Sequence, residues 1–315
     1  MTSPLADGVI DVADEVRASI EAHGPVVALE STIITHGMPY PQNAAMAGKV
    51  EQIVREEGAV PATIAVIDGR LKIGLSGNER EALAQVDNAM KLSRADLAFA
   101  VSQKRTGGTT VAATMMAAHL AGIRVFATGG IGGVHKGAET SFDISADLQE
   151  LGRTPVIVVS AGAKAILDIP KTLEVLETQG VPVVGYGTDT LPAFWSRQLP
   201  DPAPCPAPLR LDTPAEIAAF QQTRERLGIE GGMLIANPVP EESEIQAAEM
   251  ARHIEKAQAM AAERGVTGKA VTPFLLQTIL ELTGGASLQT NIALVENNAR
   301  IAARIARALS EKSGS

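Results

Sequence analysis

Short runs of apolar, mostly β-branched residues recur along the chain: PVVALEST (25 to 32), PATIAVI (61 to 67), GIRVFAT (122 to 128), PVIVVSA (155 to 161), VPVVGYG (181 to 187) and GMLIANP (232 to 238). Between them lie segments with helical periodicity, such as AAMAGKVEQIVREEG (44 to 58) and REALAQVDNAMKLS (80 to 93). Strand-length runs alternating with helix-length amphipathic segments predict an α/β fold with a substantially parallel sheet. One stretch departs from that alternation. IAVIDGRLKIGL (64 to 75) carries Asp68-Gly69 between two apolar runs, the signal of a type I′ hairpin, so the sheet is expected to be mixed. The pattern predicts one domain over residues 1 to 315, a three-layer α/β/α fold with a mixed, largely parallel central sheet and helices on both faces.

Helix starts are marked by Ser76-x-x-Glu79 and by Thr213-Pro214-x-Glu216, both with capping-box spacing. The last third of the chain is helical in pattern: EESEIQAAEMARHIEKAQAMAAERG, TPFLLQTILELTGG and SLQTNIALVENNARIAARIARAL. Between Pro192 and Pro214 seven prolines and the only tryptophan predict a non-helical excursion over the surface.

Composition narrows the function. With 27 basic and 36 acidic residues in 315, the net charge is -9, which argues against nucleic-acid or membrane partners. Cys205 is the only cysteine, excluding an internal disulfide and a Cys-cluster metal site. No run approaches the roughly 18 apolar residues that a membrane span needs, and the first residues carry no secretory pattern. A cytoplasmic protein acting on small molecules is expected.

Glycine concentrates where strands give way to helices, and such junctions bind anions through backbone N–H groups. RTGGTTVAATMMAAHLAG (105 to 122) offers Thr109 and Thr110 at the start of an alanine-rich helix, either as a phosphate cradle or as a tight packing turn. ATGGIGGVHKGAETSFD (127 to 143) has four glycines between 129 and 133, more than packing alone usually demands, followed by His135 and Lys136. LTGGASLQTNIALVENNA (282 to 299) places Asn291, Asn297 and Asn298 on one helix, where interior asparagine is mildly unfavourable and suits either a buried polar task or an exposed face. No standard ATP or NAD motif is present.

Among the acids, Asp143 and Asp147 are four apart in SFDISADLQEL and could share a helix face. They suit either a hard divalent cation or the positive end of a helix dipole. Glu30 ends the strand VVALE, where α/β sheets place ligands, though a lone acid there is more often a cap or an ion-pair member. Lys164 lies in VVSAGAKAILDIPKT (158 to 172), among small residues with Ile166 and Leu167 beside it. Desolvation there would disfavour the ammonium and favour the neutral amine that attacks carbonyl carbon; the alternative is a lysine snorkelling from a helix end.

Several of these segments together resemble the pseudouridine-5′-phosphate glycosidases, also called the indigoidine synthase A family. The matching stretches are ALESTIITHGMPYPQN (28 to 43), TGGTTVAATM (106 to 115), FATGGIGGVHKGAETSFDISADL (126 to 148), VVSAGAKAILDIPKTLEVLET (158 to 178) and TPFLLQTILELTGGASLQTNIALVENNARIAARIA (272 to 306). LAFAVSQKR and the proline-rich stretch match only loosely. The resemblance implies reversible cleavage of the C–C glycosidic bond of pseudouridine 5′-phosphate to uracil and ribose 5-phosphate. It implies a divalent ion, usually Mn²⁺, a homotrimer, and a carbon–oxygen lyase of hydro-lyase type. A carbon-linked base is a poor leaving group for oxocarbenium-type hydrolysis, so an electron sink is needed. The resemblance makes Lys164 the nucleophile that bonds C1′ and Glu30 the acid that protonates the ring oxygen. It makes Asp143 the metal ligand, with Ser145, Ala146 and Asp147 in a substrate-contacting segment. Lys91 becomes a phosphate partner and Val111 a substrate contact. The phosphate reading of Thr109 and Thr110 gains weight, and His135 and Asn291 line the site.

Overall fold

A computed structural model describes residues 8–200 and 205–311. Its eleven strands are β1 (Ile10–Val12), β2 (Val26–Leu29), β3 (Val60–Ile67), β4 (Arg70–Ile73), β5 (Met90–Leu92), β6 (Gly107–Thr109), β7 (Val125–Ala127), β8 (Ile157–Ser160), β9 (Val183–Tyr186), β10 (Leu209–Leu211) and β11 (Met233–Ala236). They run across the sheet in the order β1-β4-β3-β2-β7-β8-β11-β9-β10, with β6 pairing both β3 and β5. All six apolar runs are strands. The pairings of β2 with β3 and β7, of β8 with β7 and β11, and of β9 with β10 and β11 are parallel. The hairpin joins β3 to β4 antiparallel, with Asp68 at φ 48° and Gly69 at φ 78°, as a type I′ turn requires. The sheet is therefore mixed but mostly parallel.

Every residue of β2, β7, β8 and β11 is buried. Helices covering both faces of a parallel sheet explain why these strands read as continuous apolar runs rather than alternating ones. The long helix Ala286–Glu311 packs on β2, β7 and β8 together with helix Gln42–Glu56, while helix Val111–Leu120 packs on β2, β3 and β7 beside helix Ala146–Arg153. One hydrophobic cluster runs from Val16 through the sheet to Leu309. Both capping boxes are present, at Ser76 with Glu79 and at Thr213 with Glu216.

Two expectations need correction. The helical pattern read from residue 80 to 93 ends at Leu83, and Met90–Leu92 is a strand instead. Pairing with β6 overrides local periodicity there. The proline-rich stretch holds no helix before Pro214 in its described residues, yet its beginning does not run over the surface. Phe194 and Trp195 are both 2% exposed, stack edge-to-face at 4.9 Å, and are fastened by the Trp195 indole N–H donating to the Ser287 carbonyl at 3.1 Å. Burying two aromatics outweighs the surface preference of a proline-rich segment.

Candidate active site

From β2 the chain moves outward to β3, whereas from β7 it moves the opposite way to β8, so the sheet changes direction between β2 and β7. Beyond the carboxyl ends of strands at such a point, α/β sheets leave a crevice. Leu29 is in register with Ala127, which sets the next two residues, Glu30 and Thr128, side by side. The Thr128 hydroxyl donates to Glu30 Oε1. Past β7 and β8 the two connections stay parallel: Ile131 N–H donates to the Gly162 carbonyl at 3.0 Å and Lys164 N–H to the Ile131 carbonyl at 3.1 Å. The ends of β2 and β8, on either side of β7, thus deliver an acid and a lysine to one place.

A cavity of about 390 Å³ opens there. Glu30, Lys91, Lys164, His135, Asp143 and Asn291 lie on its wall, as do Thr110, Val111, Ser145, Ala146 and Asp147. Burial pushes the Glu30 carboxyl above its usual 4.5; the positive charges of Lys164 and Lys91 and the Thr128 hydroxyl pull it down, while Asp147 adds to the rise. A raised acid beside a lysine suits proton delivery. Burial also lowers His135, with Lys91 and Lys164 acting in the same sense and Asp143 against it. The Lys164 charge acts on both Glu30 and His135 across this cavity.

Asp147 is 6% exposed and holds two segments together: its carboxylate accepts from Ala112 N–H at 2.9 Å and from Gly132 N–H at 2.8 Å. It therefore occupies the positive end of helix Val111–Leu120 itself. The glycines after β7 serve close approach, and Gly129, Gly130 and Gly132 also line the cavity, so packing is not their only role. A Cβ on Gly130 would meet the Phe194 ring at 2.7 Å, and one on Gly132 would meet Asp147 Oδ2 at the same distance.

Thr109 is not brought to the cavity. It is fully buried, donates its hydroxyl to the Ile64 carbonyl at 2.7 Å, and accepts from Thr114 at 2.9 Å. Only Thr110 of the threonine pair faces the site, and its side chain also caps the helix by accepting from Ala113 N–H. Asp143 lies at the cavity wall, its backbone carbonyl accepting from His135 N–H at 3.0 Å. The described residues contain no cluster of three His, Cys, Asp or Glu side chains that would cage a metal.

Several wall residues escaped sequence reasoning. His36 follows Glu30 in STIITHG; its Nδ1 is 2.7 Å from the Thr35 hydroxyl, and burial, helped by Lys91, lowers its pKa. Ser93 lies two residues after Lys91 on β5, a strand that local pattern concealed. Phe194 and Leu276 supply apolar wall from the proline-rich stretch and from helix Val271–Leu282. Only tertiary packing brings these last two in, so no local signal marks them.

The fold and site define an α/β protein whose strand ends bring a partly buried acid and a lysine into a metabolite-sized cavity. A family model described as "Indigoidine synthase A like protein" matches residues 15–308, and the chain belongs to that family. It is 70% identical over 309 residues to the pseudouridine-5′-phosphate glycosidase of Mesorhizobium japonicum, covering 98% of this chain and 100% of that one. Its identity to the enzyme of the same name from Dinoroseobacter shibae is 64% over 300 residues, covering 95% and 97%. Among solved structures, it superposes on the prealnumycin C-glycosynthase AlnA in complex with ribulose 5-phosphate with a TM-score of 0.89 at 37% identity, covering 98% and 99%. An indigoidine synthase A-like protein from Thermotoga maritima gives a TM-score of 0.85 at 34% identity, covering 96% and 97%.

Proposed function

We propose that this protein is a pseudouridine-5′-phosphate glycosidase that cleaves the C–C bond between uracil and ribose 5-phosphate reversibly. The observation that carries this reading is the meeting of Glu30 and Lys164 in one cavity at the switch point, in a chain so similar to enzymes bearing that name. A carbon-linked base can leave with the bonding electrons only if C1′ is supplied with electron density in their place, and a lysine nitrogen bonded there supplies it from its lone pair.

The Lys164 amine bonds C1′ while Glu30 gives its proton to the ring oxygen, so the C1′–O4′ bond breaks and the sugar opens. The lysine nitrogen then loses a proton, which returns Glu30 to its acid form. When the C1′–C5 bond breaks, its electron pair goes to uracil C5, which takes the proton from Glu30, and the nitrogen lone pair makes the C=N bond. Water adds to that imine and frees ribose 5-phosphate and the amine. Lys91 and Thr110 suit the phosphate, one as a point charge and the other as a hydroxyl donor. Asp147 fixes the wall through Ala112 and Gly132 rather than offering an uncommitted carboxylate.

Asp143, on the cavity wall, would hold a hard divalent cation such as Mn²⁺. Such a cation would supply positive charge against the sugar phosphate. A cytoplasmic homotrimer is part of the same proposal; among the described residues no helix is long and apolar enough to cross a membrane. The purified protein, incubated with pseudouridine 5′-phosphate and Mn²⁺, is expected to release free uracil. No uracil at any enzyme concentration removes the reading.

A further inference from the structure

Behind Glu30, away from the cavity wall, lies a chain of buried polar side chains that the reaction as described does not use. Asn298 is fully buried in helix Ala286–Glu311, Thr128 is 2% exposed and Asn237 is 3% exposed. Asn237 Nδ2 donates to Asn298 Oδ1 at 2.9 Å, and Asn298 Nδ2 donates to the Thr128 carbonyl at 2.9 Å. Asn237 is itself anchored by its backbone N–H on the Ser160 carbonyl at 2.8 Å, and Thr128 by its N–H on the Val159 carbonyl at 3.0 Å. The chain ends at the Thr128 hydroxyl on Glu30 Oε1. Interior asparagine disfavours a helix and burying amides is costly unless they are fully paired. Here the pairing is aimed at the backbone just after β7: the Asn298 amide gives its shorter bond to the Thr128 carbonyl and a longer one, 3.4 Å, to the Gly129 carbonyl.

We infer that Thr128, held in place by Asn298 and Asn237, is a positioning residue for Glu30: by donating to Oε1 it leaves Oε2 as the oxygen that carries the transferable proton. The inference rests on the glycosidase reading. Its chemistry has two consequences. As Glu30 gives up its proton, the carboxylate that forms is stabilised by a donor already in place, so nothing has to reorganise. The same donor favours the ionised form, opposing the burial and the Asp147 charge that raise Glu30 and acting with the Lys164 and Lys91 charges that lower it.

The test compares uracil release by the wild type, Thr128→Val and Thr128→Ser across pH, with pseudouridine 5′-phosphate as substrate. Valine keeps the shape and loses the donor. The valine variant is expected to show kcat about tenfold lower, KM nearly unchanged, and the alkaline limb of the kcat profile about one pH unit higher, the scale of one hydrogen bond to a charged acceptor. Serine is expected to restore both. If valine prevents folding, Thr128→Cys, whose thiol is a weak donor of similar size, is expected to show the same two changes in smaller measure. A valine or cysteine variant with wild-type kcat and an unmoved limb overturns the inference. So does a lower kcat with an unmoved limb that serine fails to rescue, which marks a packing defect. A wild-type protein that releases no uracil removes the functional reading and this inference together, whereas an active wild type matched by Thr128→Val removes the inference alone.

Discussion

Asp147 sits where the two glycine segments meet, and removing its carboxylate is expected to loosen both at once. In Asp147→Ala, the backbone N–H groups of Ala112 and Gly132 lose acceptors at 2.9 and 2.8 Å in a place that is 6% exposed. A hydrogen bond to a charged acceptor contributes about 1.5–3 kcal/mol, so two such bonds set an upper range of about 3–6 kcal/mol. Water entering the space left by the side chain recovers part of this, which places the expected loss at about 3 kcal/mol. Asp147→Asn keeps one carbonyl acceptor but turns its N–H₂ group toward the other donor, so a loss of about 1.5–3 kcal/mol is expected. Equilibrium urea unfolding at neutral pH, followed by far-ultraviolet circular dichroism, measures both. A loss below about 1 kcal/mol for the alanine variant would show that the two N–H groups find other partners and that Asp147 is not the clasp described here.

Glu30→Gln is expected to lower kcat by about 10²–10⁴ while still binding substrate, since it keeps the shape and loses the proton. Because the folded-state pKa of Glu30 is raised, the wild-type fold favours the protonated carboxyl, and its stability is lost as pH rises from 4.5 through the folded value. The glutamine variant should therefore melt higher than the wild type at pH 8, with the gap closing toward pH 4; a gap that does not change with pH contradicts the raised carboxyl. Thr109→Val is expected to lose about 1–3 kcal/mol of stability with KM unchanged, because its hydroxyl serves the Ile64 carbonyl rather than the substrate; a several-fold rise in KM with full stability would return Thr109 to the site. Activity is expected to disappear in EDTA and to return with Mn²⁺, and full turnover in chelator would refute a metal at Asp143.

Much of the architecture was legible because burial on both faces forces β2, β7, β8 and β11 to be apolar throughout, and because Asp68-Gly69 fixes its turn by sterics alone. The same holds for Glu30, Asp143 and Lys164, which stand at strand ends or in loops where local context exposes them, and which the cavity brings together. What could not be read is what depends on neighbours distant in sequence. Gly107–Thr109 read as either a phosphate cradle or a tight packing turn but is a strand pairing β3 and β5, which turns Thr109 inward. Phe194 and Trp195 sit among prolines that signal surface, yet Gly130 and Ser287, far along the chain, give them a buried seat. Asn298 showed only that a polar group interrupts a helix; that it reaches the carbonyl beside Glu30 is a fact of helix placement over the sheet.

Covalent capture tests the central claim most directly. The wild type and Lys164→Ala are incubated with ribose 5-phosphate, reduced with borohydride, and digested for mass spectrometry. The account predicts a reduced pentose phosphate adduct on the peptide containing Lys164, no adduct in the alanine variant, and a melting temperature for that variant close to the wild type. Wild-type protein that turns over pseudouridine 5′-phosphate yet carries no adduct at Lys164, or an alanine variant that keeps its activity, would contradict it.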